Sequence, residues 1–412
     1  MSICITNRWG VFALTSVFFL LSQFYRASTA VISSELIRDL ELNASDLSLL
    51  SSAFFYVFAL VQIPLGLTLD RFGPRLTMSL LSLFGVAGAL SFAWAETLGM
   101  AVGARILLGL GMACNLMGPF KLLTLWFGPT QFASLTTLIF SIGAAGSIVA
   151  SSPLVALVQW VGWRWAFTLI AFFHALLTVV FFLCVRDRPP HSSHAQSGPG
   201  LPDLIHGLRT LFSSRDYWII SVGTFCRYGI FAAIQTLWAG PYLMQGIGLS
   251  PMQAGNVILA LNLAFIVAGP LWGGLSDRLQ RRKGVILIGL LGIGLVLAAL
   301  TFQSERTPML FFVVLFAAFG VSGSTGGIMY THIKERMPSH LAGTAMTGIN
   351  LFTMFGAAFF VHGLGVLMQK TFAEQAFSLS AFHLSFLLCA GFMMAVFVLY
   401  VFTREDSKTE SR

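Results

Sequence analysis

The chain has 412 residues, of which 56% are hydrophobic and only 10% charged, with a mean hydropathy of +0.82. That balance cannot cover a water-soluble protein of this length with polar surface, so its surroundings are mostly lipid. The net charge of +8 does not call for nucleic acid, because Lys and Arg collect in the cytoplasmic loops of membrane proteins.

The five cysteines, Cys4, Cys114, Cys184, Cys226 and Cys389, are scattered. They have neither metal-ligand spacing nor the pattern of a disulfide framework, and they read as small apolar filler. The first apolar run, 9–32, is too long for a cleavable signal. A membrane helix needs ~20 mostly apolar residues to cross ~30 Å of hydrocarbon. In chain order, stretches that meet this requirement fall at 9–33, 46–68, 76–95, 98–121, 131–155, 164–185, 217–241, 252–275, 284–303, 308–331, 341–367 and 380–402. The expected fold class is therefore an all-α membrane protein of twelve transmembrane helices.

One set of loops carries Arg71, Arg75, Arg186, Arg188, Arg209, Arg215, Arg278, Arg281, Arg282, Lys283, Lys334 and Arg336, and both chain ends join it. The other set carries only Arg38, Arg164, Arg306 and Lys370. The excess predicts cytoplasmic termini. The longest connection contains "RPPHSSHAQSGPGLP", a stretch without apolar period. It predicts an N-terminal six-helix half at 1–185, a cytoplasmic linker at 186–216 and a C-terminal six-helix half at 217–412.

The halves echo one another. "GLTLDRFGPR" (66–75) follows span 2 and "GGLSDRLQRR" (273–282) follows span 8. In each, an aspartate and several arginines can tie a short loop to neighbouring helix ends by charge pairs and helix dipoles. A second echo pairs "FGPTQFASLTTLIFSIGAAG" (127–146) with "ERMPSHLAGTAMTGINLFTMFG" (335–356), both rich in the small residues that let helices approach closely.

Paired Asp-Arg loops, twelve spans and a central linker resemble the major facilitator superfamily over essentially the whole chain. The first loop keeps Gly66, Asp70, Arg71, Gly73 and Arg75, while Thr68 and Pro74 depart from the commonest pattern. The second keeps Gly273, Asp277, Arg278 and Arg282, with Gln280 where Gly is usual. "GARILLGLG" (103–111) looks like the family's fourth-helix motif with Arg105 as its arginine, and "GWRWAF" (162–167) also recurs there. The resemblance implies two pseudo-symmetric six-helix bundles, substrate binding near the midplane and alternating access.

Arg26, Arg105, Lys121 and Arg227 fall inside spans, whereas the sixteen acidic residues lie in loops, tails or at span ends. A buried charge needs a partner or a wet cavity, and the missing partner is an anionic substrate. Arg26 lies roughly 13 Å of helix before Glu35, and Arg227 roughly 15 Å after Tyr217, so both fall near the midplane of equivalent spans, where they are expected to face one another. Arg105 reads as structural, and Lys121 reaches the cytoplasmic surface.

"FYRASTAVISSEL" in span 1 and "CRYGIFAAIQTLW" in span 7 resemble the organophosphate:phosphate antiporter and anion:cation symporter branch. That family places one arginine in each of these helices to bind a phosphoryl group, which implies the same for Arg26 and Arg227. The family's span 2 lysine is Gln62 here, and its span 5 histidine is absent from "LIFSIGAAGS". The departures favour a carboxylate or sulfonate over a phosphate ester.

Other candidate substrate contacts are Tyr25, Gln62, Asn115, Tyr228, Gln235, Trp238, Asn262 and Asn350, all polar side chains in spans that line such cavities. Trp9, Trp94 and Tyr242 read as interface anchors. Of His174, His332, His362 and His383, the best proton candidate is His362 in span 11.

No GK[ST] phosphate loop, nucleophile constellation or metal cluster is visible, so the expectation is a non-enzyme without cofactor or metal. The expected function is that of a monomeric carrier of a small organic anion in the bacterial cytoplasmic membrane, working by exchange or facilitated transport. The alternatives are a proton-coupled metabolite or drug transporter and a transporter-like anion sensor.

Overall fold

The computed structural model describes residues 7–127, 129–187, 211–337 and 342–404. Among these, regular structure is entirely helical. The chain separates into two compact units, Met1–His194 and Ala195–Arg412. Most of the expected linker, and the polar turns at 128 and 338–341, lie outside the described residues.

Unit 1 contains α1 (Arg8–Ala27), α2 (Ser33–Leu40), α3 (Ala44–Ala93), α4 (Leu98–Met112), α5 (Met117–Trp126), α6 (Pro129–Val149), α7 (Ser152–Val161) and α8 (Trp163–Cys184). Unit 2 contains α9 (Arg215–Ala233), α10 (Pro251–Leu279), α11 (Arg282–Leu300), α12 (Met309–Gly323), α13 (Gly326–Arg336), α14 (Ala342–Phe372) and α15 (Leu379–Val401). Two π-helical segments, Ile234–Trp238 and Tyr242–Gly246, extend α9. Among the described residues eleven spans are long and apolar enough to cross a membrane. There are twelve if the pair Leu138–Val149 and Ser152–Val161, bent by 42°, counts as one. Large apolar side chains such as Trp160, Leu310 and Phe302 lie outward, as lipid requires.

Local chemistry explains the helix ends. Asn43 and Asp46 form a capping box that starts α3, and Ser250 with Gln253 does the same for α10. Asp46 is thereby committed to a helix terminus. In the 66–75 stretch the two spans that make up α3 meet at a kink at Gly73, whose non-helical φ of 79° and ψ of 159° suit a residue without Cβ.

Glycines also set the packing, and they repeat between units. A Cβ on Gly109 of α4 would strike the Phe54 carbonyl of α3, and one on Gly320 of α12 would strike the Leu261 carbonyl of α10. Likewise Gly146 of α6 lies on the Leu20 carbonyl of α1, and Gly356 of α14 on the Phe225 carbonyl of α9. Backbone approaches backbone at equivalent places in each unit.

Three expectations need correction. Span 1 is not one helix over 9–33: α1 ends at Ala27 and the chain turns through Ser28–Ile32 before α2. The depth computed for Arg26 along an unbroken helix therefore does not apply, and Arg26 sits in the last turn of α1. Tyr242 is not an interface anchor. It is fully buried among Phe312, Phe316, Phe382 and Phe386, because the π-helical segment turns it inward. Trp9 and Trp94 are each 48% exposed, as an anchor requires.

Candidate functional site

In unit 1 the guanidinium of Arg26 lies over three phenylalanines of α3, with ring centroids at 4.8 Å (Phe58), 5.7 Å (Phe55) and 5.9 Å (Phe54). "AFFYVF" supplies these rings at i, i+1 and i+4, so they share one helical face. Each ring face attracts the cation without neutralising it. Phe54 is also 5.1 Å from the guanidinium of Arg105. Arg105 is fully buried and donates from Nη1 to the Tyr25 carbonyl at 2.9 Å, fastening the end of α1 to α4.

The remaining unit 1 candidates disperse. Tyr25 turns its ring toward His174 of α8, 5.9 Å away, while Arg26 turns toward α3. Gln62 donates to the Ala113 carbonyl (3.2 Å), and Asn115 donates to the Phe18 carbonyl (3.2 Å). Both amides therefore serve the break between α4 and α5.

Arg227 of α9 is 5% exposed. Its Nε has no hydrogen-bond partner, and no carboxylate pairs with it among the described residues. Phe231 lies 5.9 Å from it. Tyr330 donates to Asn350 Oδ1 (3.0 Å) and also meets Thr353 Oγ1 (3.2 Å). Thr353 Oγ1 also donates to the Ile349 carbonyl (2.8 Å), so the network ties α13 to the backbone of α14. Gln235 donates to Asn262 at 2.7 Å. Trp238 is fully buried and donates to the Val361 carbonyl at 3.1 Å, which makes it a packing group. His362 is half-buried on α14.

Tyr330, Thr353, Gly326 and the phenylalanine triplet were absent from the sequence reading. The triplet and the "STGG" doublet were visible signals, but the Tyr330 network joins α13 to α14 and has no local pattern.

The loop motifs act at helix ends. Arg75 donates its amide to Asp187 (2.6 Å) and its guanidinium to the Phe182 carbonyl (2.9 and 2.6 Å). Arg282 bridges Asp277 (2.5 Å) and Glu335 (3.1 Å). The Asp70 side chain lies outside the described residues; Arg278 is exposed, and a Cβ on Gly66 or Gly273 would meet open space. Nearby in unit 2, Arg336 pairs with Asp216 (3.0 Å) and Lys283 donates to the Val401 and Thr403 carbonyls (2.5 and 2.9 Å). His332 meets the Tyr400 hydroxyl (2.7 Å) and the Arg404 carbonyl (3.2 Å). A carbonyl only accepts, so Nε2 carries the proton and Nδ1 accepts from Tyr400. His332 is thus a structural clasp.

At the opposite end of unit 1, Asp39 of α2 accepts from Trp163 Nε1 (2.9 Å) and Arg164 (2.8 Å) of α8. Burial alone would raise its carboxyl, but the bonds from Trp163 and Arg38 and the charges of Arg38 and Arg164 outweigh it and hold the pKa below the usual range. Glu35, one turn earlier, is shifted the other way, chiefly by burial, and its Oε2 lacks a partner.

A helical membrane chain with a buried arginine in each unit and basic clasps at its helix ends has the construction of a solute carrier. The Major Facilitator Superfamily profile matches residues 13–361 and 220–412, and the chain belongs to that family. It is an integral membrane protein and a transporter by family, not an enzyme. It is 25% identical over 391 residues to a probable sulfoacetate transporter, SauU, of Cupriavidus necator, covering 89% of each chain. It is also 25% identical to a probable galactarate/D-glucarate transporter, GarP, of Escherichia coli K12, covering 91% of this chain and 90% of that one. The fold matches a bacterial homologue of the lysosomal transporter Spinster with a TM-score of 0.79, at 17% identity and 96% coverage of both chains.

Proposed function

We propose that the protein is a secondary active carrier of a small organic anion, and that Arg26 and Arg227 hold the anionic group as the carrier alternates its access. The observation that carries this reading is Arg227: a buried guanidinium with an unpartnered Nε and no carboxylate on it among the described residues. A charge in that setting costs free energy unless a ligand compensates it. Arg26 supports the same role, since aromatic faces position its fork while leaving the charge in place. Relatives named for sulfoacetate and for galactarate or glucarate support a sulfonate or carboxylate cargo. The membrane is the bacterial cytoplasmic membrane, with both termini inside, and the carrier works as a monomer.

The test is a thermal-shift screen of the purified protein against sulfonates, mono- and dicarboxylates and phosphate esters. Bound anion raises the melting temperature in proportion to the logarithm of its saturation. Arg26→Ala and Arg227→Ala should lose that response while folding normally. Lysine at either position should restore it only partly, because the bidentate fork is gone. Two alanine variants that respond as the parent does would overturn the assignment.

A further inference from the structure

Span 10 is interrupted. α12 ends at Gly323, Ser324 and Thr325 form a turn, and α13 begins at Gly326. A helix of this length presents unsatisfied amides and about half a positive charge at its N-terminus. Such ends are usually closed by the side chain of the residue before the helix. Here Thr325 does not cap α13, because its hydroxyl turns back to the Ser322 carbonyl at 2.9 Å. The first turn is closed only by the Ile328 amide on the Thr325 carbonyl (3.1 Å).

Arg227 lies against this terminus. A Cβ built on Gly326 would overlap its guanidinium at Nη1, Cζ and Nη2. Gly326 is the first residue of α13, so the guanidinium packs against the first turn of that helix, beside its free amides. A side chain there would displace the guanidinium from this position. Two positive elements, one a full charge and one a helix end, are thus pressed together in a buried place with no acid between them among the described residues. Each repels the other in the empty protein, and both are donors to an oxyanion.

We propose that the anion site of unit 2 is composite, with the cargo's carboxylate or sulfonate accepting from both the Arg227 guanidinium and the backbone amides that open α13 at Gly326 and Gly327. This rests on the anion-carrier reading above and specifies which atoms of unit 2 do the binding. Unit 1 supplies the contrast. Its span 4 also breaks, between α4 and α5, but a Cβ on Gly118 there would meet Met78 and Cys114 sulfur, not an arginine. The break in unit 1 is filled by side chains, whereas the one in unit 2 faces a cation. The empty site is therefore strained by like charge, and an anion relieves it, which favours resetting of the carrier in the loaded form.

The test uses the full-length purified protein with sulfoacetate, D-glucarate and inorganic phosphate as probes, read by ligand-dependent melting temperature. A Cβ on Gly327 meets no heavy atom within 4 Å, so Gly327→Asp and its isostere Gly327→Asn meet no clash at Cβ, and any effect of side-chain bulk is common to both. They carry the result even where Gly326→Ala does not fold. The aspartate adds to the same shape a fixed negative charge at the helix opening, so Gly327→Asp should bind at least about tenfold more weakly than Gly327→Asn. Gly326→Ala should lose about tenfold by displacing the guanidinium. If Arg227→Ala abolishes binding but Gly327→Asp binds like Gly327→Asn, the composite site is wrong and the carrier reading stands. If Arg227→Ala binds like the parent, or no probe stabilises the parent, the carrier reading falls and this inference with it.

Discussion

Arg26 and Arg227 are fixed by different means, and the difference bears on what each tolerates. Arg26 is steered by three rings of one helix, Arg227 by the absence of a side chain at Gly326. Both arginines stood out in the sequence because charge inside an apolar span is rare. Their surroundings did not, because Gly326 meets Arg227 from another helix, α13. Tyr242 was misread for a related reason: a π-helical turn changes which face a residue presents, and no local signal announces it.

Two carboxylates on α2 give a test at this scale. Asp39 has a depressed pKa, so its contribution to stability is present above its unfolded pKa and fades as pH falls through the folded value. Glu35 has a raised pKa, so its ionised form opposes folding above the unfolded value, and that penalty lifts on acidification. Asp39→Asn should therefore lower the melting temperature at pH 7, with the effect shrinking only as the pH falls below the ordinary carboxylate value toward the depressed one, whereas Glu35→Gln should raise it at pH 7. Melting scans of both variants across that range check the signs, and shifts in the same direction at pH 7 would refute the pairing.

Among elements, the close helix contacts through glycine were legible as a richness in small residues, but the particular contacts were not. Gly103 and Gly109 lie on the same helix; a Cβ on the first meets nothing within 4 Å, and on the second it meets the Phe54 backbone. Gly109→Ala should cost about 1–3 kcal/mol through overpacking, while Gly103→Ala should be neutral or slightly stabilising through helix propensity. Melting temperatures of the two purified variants decide it, and equal effects would refute the packing argument. The breaks at Ala113–Leu116 and Ser324–Thr325 escaped the sequence reading because neither contains proline. The Asp-Arg stretch at 66–75 was read as a short loop between spans, and the connection is tighter than its composition suggests: a kink at Gly73 with Pro74 beside it.

At the scale of the whole molecule, composition and span counting were enough for the fold class, because lipid admits so few solutions. Internal repetition was legible too: the Asp-Arg stretches recur, and the glycine contacts recur with them. Substrate and energy source are a harder matter, since they depend on a few atoms. The sixteen acidic residues include none deep in a span, and Asp46, a possible proton carrier, is occupied as a helix cap. An anion-exchange carrier should therefore run counterflow of a labelled substrate at zero pH gradient in proteoliposomes. Counterflow should persist in His362→Gln. Uptake that requires an inward proton gradient and vanishes in His362→Gln would establish proton symport instead.

The clasp at the end of unit 2 has a practical side. Lys283 and His332 take their acceptors from the backbone of residues 401, 403 and 404, beyond or at the very end of α15. Those carbonyls belong to the chain whatever its side chains are, so sequence changes there are cheap and deletions are not. A stop codon after Tyr400 would take these backbone acceptors away from Lys283 and His332, while a reporter fused after Arg404 leaves both grips closed. The place to cut or to tag is thus set by two side chains that lie far upstream of it.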